Sequence, residues 1–150
     1  MTRFVAYFVR FAVILAGYIV ASLAASAFLN ILFLAYLGYS PNHPDHVATL
    51  SLYFSVPFVA LFAAYFAFIP AIIVILVAEV LGRRDWLFYA LAGAVVAGVF
   101  LGFVHRIADA NFDVTEVNAR LAIVGSGMIG GIFYWLSAGR WAGSWRLAPD

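Results

Sequence analysis

Four long apolar stretches alternate with three short polar connections along this chain. The apolar stretches cover residues 4–39, 47–81, 85–104 and 114–139. About 20 apolar residues in a helix are enough to cross the ~30 Å hydrocarbon core of a bilayer. The pattern therefore predicts an all-α integral membrane four-helix bundle, a single transmembrane domain in which spans one and two are longer than spans three and four.

Composition excludes several other classes of protein. The chain is 67% hydrophobic and 10% charged, whereas soluble domains carry about 25% charged residues. Its formal net charge is only +1, which argues against nucleic acid as a partner. The absence of cysteine excludes disulfides, thiol catalysis and cysteine-ligated metal sites.

The arginines are distributed unequally between the two sides of the predicted bundle. One side carries Arg3, Arg10, Arg83, Arg84, Arg140 and Arg146, and the other carries Arg106 and Arg120. Cytoplasmic segments of membrane proteins are enriched in basic residues, so we expect both termini in the cytosol. The first apolar stretch continues beyond Ala27 to Tyr39. We therefore expect a retained helix and not a cleaved signal peptide.

Spans three and four carry small residues at intervals of four. Span three carries the row Ala90, Ala94, Gly98 and Gly102, and span four carries the row Ala122, Ser126 and Gly130, with Gly127 and Gly131 alongside. Residues four apart share a helix face. Small residues on one face let helix backbones approach closely within lipid. We therefore expect both rows to form helix–helix contacts.

Span one carries a polar row that comprises Tyr18, Ser22, Ser26 and Asn30. Hydrogen bonding to a neighbouring helix is the simpler interpretation, and a polar path for an ion is the alternative. Pro70, near the middle of span two, cannot donate a hydrogen bond to the carbonyl of Phe66. Counting residues from the helix ends places Ser22 at the depth of Pro70. We therefore predict that Ser22 or a neighbour satisfies this carbonyl.

Span two carries a ridge of phenylalanines, Phe54, Phe58, Phe62 and Phe66, again at intervals of four. In the simpler interpretation the ridge faces lipid. In the alternative, Phe58 and Phe62 contact the groove of span three, or a quinone or lipid tail. The alternative allows a bound lipid, and the sequence predicts no other cofactor.

The carboxylate of Glu79 lies about half a turn inside the end of span two. Glu79 precedes Arg83 by four residues, which is the favourable order for an ion pair on a helix. Arg10 should lie at a similar depth on span one. We expect these three residues to form an ion pair that locks spans one and two. The alternative is a carboxylate that couples proton movement to transport.

The three histidines lie on the side opposite to most of the arginines. His43, His46 and His105, together with Asp109, offer imidazole and carboxylate ligands for a divalent metal. The simpler interpretation is that His105 and Asp109 form a local pair, while His43 and His46 flank prolines in an exposed turn. We favour the simpler interpretation and predict no bound metal.

The end of span four reads Tyr134-Trp135-Leu136, followed by Ala138-Gly139-Arg140 and Ala142-Gly143. This motif resembles the C-terminal part of small uncharacterised four-span inner-membrane proteins of GC-rich Gram-negative bacteria. The resemblance covers only the end of the chain. It implies a location in the bacterial inner membrane and no particular activity.

Three functions are compatible with these residues. The first is a non-catalytic accessory or stabilising subunit of a larger inner-membrane complex, with lipids and other integral membrane subunits as partners. The alternative is a small homo-oligomeric transporter or channel that uses the polar face of span one and Glu79. The third is a lipid- or metal-handling enzyme that uses the histidine side. The sequence has no P-loop, H-E-x-x-H or G-x-S-x-G motif, so we expect no enzymatic activity.

Overall fold

The computed structural model describes residues 2–36, 46–107 and 117–143. Over these ranges the chain forms four α-helices and no strand: α1 (Thr2–Tyr36), α2 (His46–Leu81), α3 (Trp86–Ile107) and α4 (Val117–Ser137), with a short 3₁₀ helix at Gly139–Trp141. The first two helices have 35 and 36 residues, and the last two have 22 and 21. The structure therefore confirms an all-α four-helix bundle with two longer and two shorter helices.

All four helices are long and apolar enough to cross a membrane, so the chain is a multi-pass membrane protein. The apolar segments are Phe4–Tyr36, Leu50–Leu81, Trp86–Arg106 and Val117–Ser137. At 1.5 Å per residue, α1 is about 52 Å long, which exceeds the ~30 Å hydrocarbon core. Helices α1 and α2 must therefore tilt or project from the bilayer. Helix α2 continues through both of its internal prolines, Pro57 and Pro70.

The helices pack in the order α2, α1, α4, α3, with each helix antiparallel to its packing neighbour. Helix α4 lies between α1 and α3, whereas α2 packs along α1 and makes fewer contacts with α3. The end of the bundle that holds Arg10, Arg83, Arg84 and Arg140 is called the Arg end below, and the opposite end is called the loop end. This order leaves space between α2 and α3.

The contact between α3 and α4 is so close that it requires glycine. A Cβ atom at Gly127 would lie 2.7 Å from the Cβ of Ala97 and would collide with the carbonyl of Gly93. A Cβ atom at Gly93 would collide with the carbonyl of Gly127, and one at Gly131 with the carbonyl of Tyr89. The two backbones therefore touch along about two helical turns.

The row of small residues predicted to form the α3 contact is not the row that forms it. Gly98 and Gly102 are exposed, and no described atom lies within 4 Å of a Cβ built at either position. The prediction was therefore wrong for Gly98 and Gly102, whereas Ala90, the first residue of that row, is completely buried. The contact uses Gly93 and Ala97, one residue earlier and hence about 100° around the helix.

The predicted row on α4 does contact a neighbouring helix. Ser126 is only 5% exposed, and a Cβ atom at Gly130 would lie 3.1 Å from the carbonyl oxygen of Ala21 and 3.3 Å from the Cβ of Ala25 on α1. The hydroxyl of Ser126 donates to the carbonyl of Ile123 in its own helix (2.7 Å). One face of α4 therefore packs on α1, and the adjacent face packs on α3.

A glycine ends α2 and starts the turn into α3. Gly82 has φ +62°, its N–H donates to the carbonyl of Glu79, and the N–H of Arg83 donates to the carbonyl of Ala78 at 3.0 Å. This pair of bonds is the Schellman motif, in which glycine adopts the left-handed conformation that other residues avoid. The turn keeps the ends of α2 and α3 together at the Arg end.

Candidate functional site

Arg10 and Glu79 form an ion pair between α1 and α2. The guanidinium of Arg10 donates through Nη2 to Oε1 of Glu79, and each side chain is 12% exposed. This confirms the predicted pairing of Arg10 with Glu79. Arg83 does not join it, because the helix ends at Leu81 and Arg83 has left the face that carries Glu79. Its guanidinium lies 3.6 Å from the carboxylate of Asp85.

The same pair also binds the end of α4. Both terminal nitrogens of Arg10 donate to the carbonyl of Ala138, at 3.4 and 3.3 Å, and the N–H of Gly143 donates to Oε2 of Glu79 at 3.0 Å. The C-terminal ends of α2 and α4 carry partial negative charge, so one guanidinium offsets the charge at both. These four residues, Arg10, Glu79, Ala138 and Gly143, are called the Arg10 node below.

Gly143 is required by the geometry of the Arg10 node. It has φ +68°, and a Cβ atom built on it would lie 3.1 Å from the Cα of Gly82. Any larger residue would strain the backbone and crowd the turn that ends α2. Two further bonds hold the same segments together: the Trp135 indole donates to the carbonyl of Arg84 (2.5 Å), and Nε of Arg84 donates to the carbonyl of Ala142 (3.0 Å).

Two tyrosines adjoin the Arg10 node. The hydroxyl of Tyr89 donates to the carbonyl of Arg83 at 3.0 Å, and its ring packs on Tyr134 with 5.5 Å between the centroids. Tyr134 is 5% exposed. Its hydroxyl and Nε of Arg10 are buried and have no hydrogen-bond partner among the described residues. Leaving such a group unpartnered costs about 1–3 kcal/mol.

The polar row of span one joins α1 to α2, as the simpler interpretation predicted. Ser26 is completely buried, and its hydroxyl donates to the carbonyl of Val56 at 2.6 Å. Asn30 accepts a hydrogen bond from the hydroxyl of Ser55 (2.5 Å) and donates to the carbonyl of Ser26 (2.9 Å). These bonds lie in the half of the bundle nearer the loop end.

Ser22 behaves differently from its neighbours in the row. Its hydroxyl donates to the carbonyl of Tyr18, within its own helix, at 2.9 Å. The cross-helix bond at this level comes from the hydroxyl of Tyr18, which reaches the carbonyl of Ala64 at 2.5 Å. The prediction that Ser22 or a neighbour satisfies the Phe66 carbonyl freed by Pro70 was therefore wrong.

A cavity of about 310 Å³ lies between the four helices. Alanine, glycine, valine and phenylalanine make up most of its wall, and Tyr89 and Tyr134 close it towards the Arg end. The hydroxyls of Ser22 and Ser126 belong to the wall, but both donate to carbonyls of their own helices. The interior of the cavity is therefore predominantly apolar.

Phe62 lies at the mouth of the cavity, because it belongs to the wall and is also 54% exposed. Its ring is 4.7 Å from that of Phe66, which in turn packs on Phe100 and Phe103 of α3 at 5.8 and 6.4 Å. These four rings bridge α2 and α3 where the two helices otherwise separate. The cavity therefore opens sideways, towards the surroundings of the bundle.

The phenylalanine ridge of α2 thus divides between two environments. Phe54 and Phe58 are 80% and 71% exposed and point away from the bundle. Phe58 does not enter a groove on α3, so the predicted contact of this residue with that groove was wrong. Phe62 borders the cavity. Phe66 packs on the aromatic rings of α3, Phe100 and Phe103, and not on the small residues of that helix.

The structure describes the side chain of only one of the four candidate metal ligands, His105. His43 and Asp109 lie outside the described residues, as does the side chain of His46. His105 is exposed on the last turn of α3 at the loop end. The expectation that these residues bind no metal stays a prediction.

Sequence reasoning did not identify Tyr89, Tyr134 or Gly143 as part of a site. The usable signal was the position of two tyrosines inside apolar helices, where a buried hydroxyl needs a partner.

Comparison with protein-family models, with curated proteins and with solved structures finds no match to this chain. The proposed function therefore rests on the geometry and on the sequence pattern.

Proposed function

We propose that this chain is a non-catalytic protein of the bacterial inner membrane and an accessory or stabilising subunit of a larger membrane complex. The observation that carries the proposal is the outer face of α2. Phe54, Phe58, Leu61 and Tyr65 share that face and are 80%, 71%, 72% and 78% exposed. These four residues are called the α2 aromatic face below.

The α2 aromatic face has the properties of a docking surface for another transmembrane helix. Helix α2 is the least enclosed of the four, since it packs mainly on α1. Aromatic side chains supply large contact areas and are enriched at the centres of protein interfaces. In lipid, helix association depends on such packing because burial of apolar surface gives no advantage there. A helix of a partner subunit packed on this face would enclose α2.

The polar contacts inside the bundle support a structural role. Arg10 and Glu79 join α1, α2 and α4, while Ser26 and Asn30 join α1 to α2. The alternative, a homo-oligomeric transporter or channel, needs the polar face of α1 and Glu79 to meet a solvated path. Ser26 and Asn30 instead bond to α2, and both oxygens of Glu79 accept hydrogen bonds.

The proposed orientation places the Arg end in the cytosol, with both termini on that side. Five arginines of the described chain lie at this end, namely Arg3, Arg10, Arg83, Arg84 and Arg140. Basic residues favour the cytoplasmic side. Trp86 and Trp141 lie at the same end and are 53% and 44% exposed. The guanidinium of Arg140 lies 3.9 Å from the centre of the Trp141 ring. Exposed tryptophans and arginines together are typical of the membrane–water interface.

The proposal is tested by purifying the tagged chain in mild detergent and quantifying the proteins that accompany it. We expect one integral membrane protein at a fixed ratio, and a fall in its abundance when the gene for this chain is deleted. Phe54→Ala and Phe58→Ala should lower the ratio. Phe33→Ala is the matched control, because Phe33 is 62% exposed on α1. A chain that always purifies alone would contradict the proposal.

A further inference from the structure

We propose that the cavity between the helices binds one acyl chain that ends in a carbonyl or carboxylate oxygen. The chain enters from the lipid beside Phe62, and its oxygen meets the unpartnered hydroxyl of Tyr134 next to the Arg10 node. The ligand is therefore a fatty acid or the acyl tail of a membrane lipid. This inference concerns the interior of the bundle and does not depend on a protein partner at the α2 aromatic face.

The size and the lining of the cavity fit a single chain. Its volume, about 310 Å³, is at the lower end of the 300–1,000 Å³ range of small-molecule pockets. It can hold one hydrocarbon chain but not a whole phospholipid. Apolar cavities stay dry and accept apolar guests, and acyl chains are the apolar groups that surround a transmembrane bundle.

The wall of the cavity on α2 is built from small residues. Ala63, Ala67 and Ala71 follow one another at intervals of four and belong to the wall. At about 100° per residue, Ala63 lies on the side of α2 opposite to Phe54, which is 80% exposed. One side of α2 therefore carries large exposed rings, while the other leaves room beside α3 and α4.

The Arg end of the cavity supplies the hydrogen-bond chemistry. Tyr134 forms part of the wall there, and its hydroxyl is buried with no partner among the described residues. A phenol hydroxyl is a hydrogen-bond donor. An acceptor oxygen, such as an ester carbonyl or a carboxylate, satisfies it.

The lateral opening gives such a chain a route into the cavity. Phe62 stands between the cavity and the surroundings, and its neighbour Phe66 contacts Phe100 and Phe103 across the gap between α2 and α3. The partners of these rings are other aromatic rings, whose contacts can rearrange without breaking a hydrogen bond. A chain can therefore pass from the bilayer without crossing the Arg10 node.

The test uses the full chain in nanodiscs and two photoactivatable probes, a diazirine-bearing palmitate and a diazirine-bearing phosphatidylcholine. We expect at least one of them to label the cavity walls, namely Ala63, Ala67 and Ala71 of α2 and Ala92, Gly93 and Val96 of α3. Labelling by palmitate alone identifies a free fatty acid, and labelling by phosphatidylcholine identifies a lipid tail. Labels confined to the α2 aromatic face, or found nowhere on the walls, would overturn the proposal.

Cavity-filling variants separate the cavity from the outer surface. Ala67→Leu should reduce wall labelling at least about tenfold, as should Ala92→Leu on α3, which serves if the first variant fails to fold. Ala16→Leu is the matched control, since Ala16 is exposed on α1, and it should label like the natural chain. Equal labelling in all three variants would overturn the proposal.

The role of the Tyr134 hydroxyl has its own measurement. Tyr134→Phe keeps the ring and removes the donor. Loss of one hydrogen bond should raise the concentration of unlabelled palmitate needed to displace the probe by roughly threefold to tenfold. Tyr65→Phe, which alters an exposed hydroxyl on α2, should leave that concentration unchanged. The same value in Tyr134→Phe and the natural chain would remove the hydrogen-bonded oxygen from the proposal.

Discussion

Arg10 of α1 and Glu79 of α2 face each other near the Arg end, and only 12% of each side chain is exposed. Glu79 lies in the last turn of α2, where the negative end of the helix dipole opposes a carboxylate. Arg10 offsets this charge and also donates to the carbonyl of Ala138 on α4. One side chain therefore fixes the relative positions of three helices.

Removing either member of this pair should destabilise the bundle markedly. Glu79→Gln or Arg10→Ala leaves the other charge buried without its partner, which should lower the unfolding free energy by about 3 kcal/mol. Arg83→Ala is the control. Arg83 and Asp85 are 57% and 70% exposed, so its effect should stay within about 1 kcal/mol. Unfolding in mixed detergent micelles measures both, and equal losses in all variants would contradict the account of the pair.

A second prediction concerns the glycines of the α3–α4 contact. Gly127→Ala and Gly93→Ala place a methyl group against backbone atoms that cannot move aside, and each should destabilise the bundle by about 1–3 kcal/mol. Gly98→Ala is the matched control on α3, where no described atom obstructs the methyl group. It should be neutral or stabilising by up to about 1 kcal/mol. The same unfolding measurement decides the matter, and a neutral Gly127→Ala would contradict the observed contact.

The sequence could predict that α3 uses small residues but not which face carries them. In a soluble protein the polar side of a helix reveals its buried side. A helix surrounded by lipid is apolar on every side, so this signal is missing. Helix α3 has one small-residue row through Ala94, Gly98 and Gly102 and another through Gly93 and Ala97. Only the position of α4 distinguishes the two rows.

The buried serines of α1 give a third prediction. Ser26→Ala removes a hydroxyl that donates to the carbonyl of Val56 on α2 and should cost about 1 kcal/mol of unfolding free energy. Ser22→Ala removes a hydroxyl that bonds only within α1 among the described residues. Its effect should be less than half as large. A larger loss for Ser22→Ala than for Ser26→Ala would contradict the observed hydrogen bonds.

The depth of these residues was the second feature that the sequence could not provide. Counting from the helix ends placed Ser22 beside Pro70. In the structure, the α1 residues Tyr18 and Ser26, on either side of Ser22, bond to Ala64 and Val56 of α2. Ser22 therefore lies at the depth of the α2 segment between those two residues. The count treats helices as upright, whereas helices of 35 and 36 residues must tilt or project. Pairing Arg10 with Glu79 was predictable because a charge inside a membrane demands an opposite charge nearby.

A fourth prediction concerns orientation. A fluorescent reporter fused after Gly143 should fold and fluoresce, because that position lies at the Arg end, which the proposed orientation places in the cytosol. Alkaline phosphatase, which is active only outside the cytosol, should be inactive there and active when inserted between Pro41 and Pro44. An active phosphatase after Gly143 would reverse the proposed orientation while leaving the bundle unchanged.

The central claim, that the α2 aromatic face meets another subunit, is tested most directly by site-specific cross-linking in living cells. A photo-cross-linking amino acid replaces Phe58, and the same residue at Phe33 of α1 is the control. The account predicts one discrete adduct with a different membrane protein at Phe58 and none at Phe33. Adducts with lipid alone, or with a second copy of this chain, would contradict it.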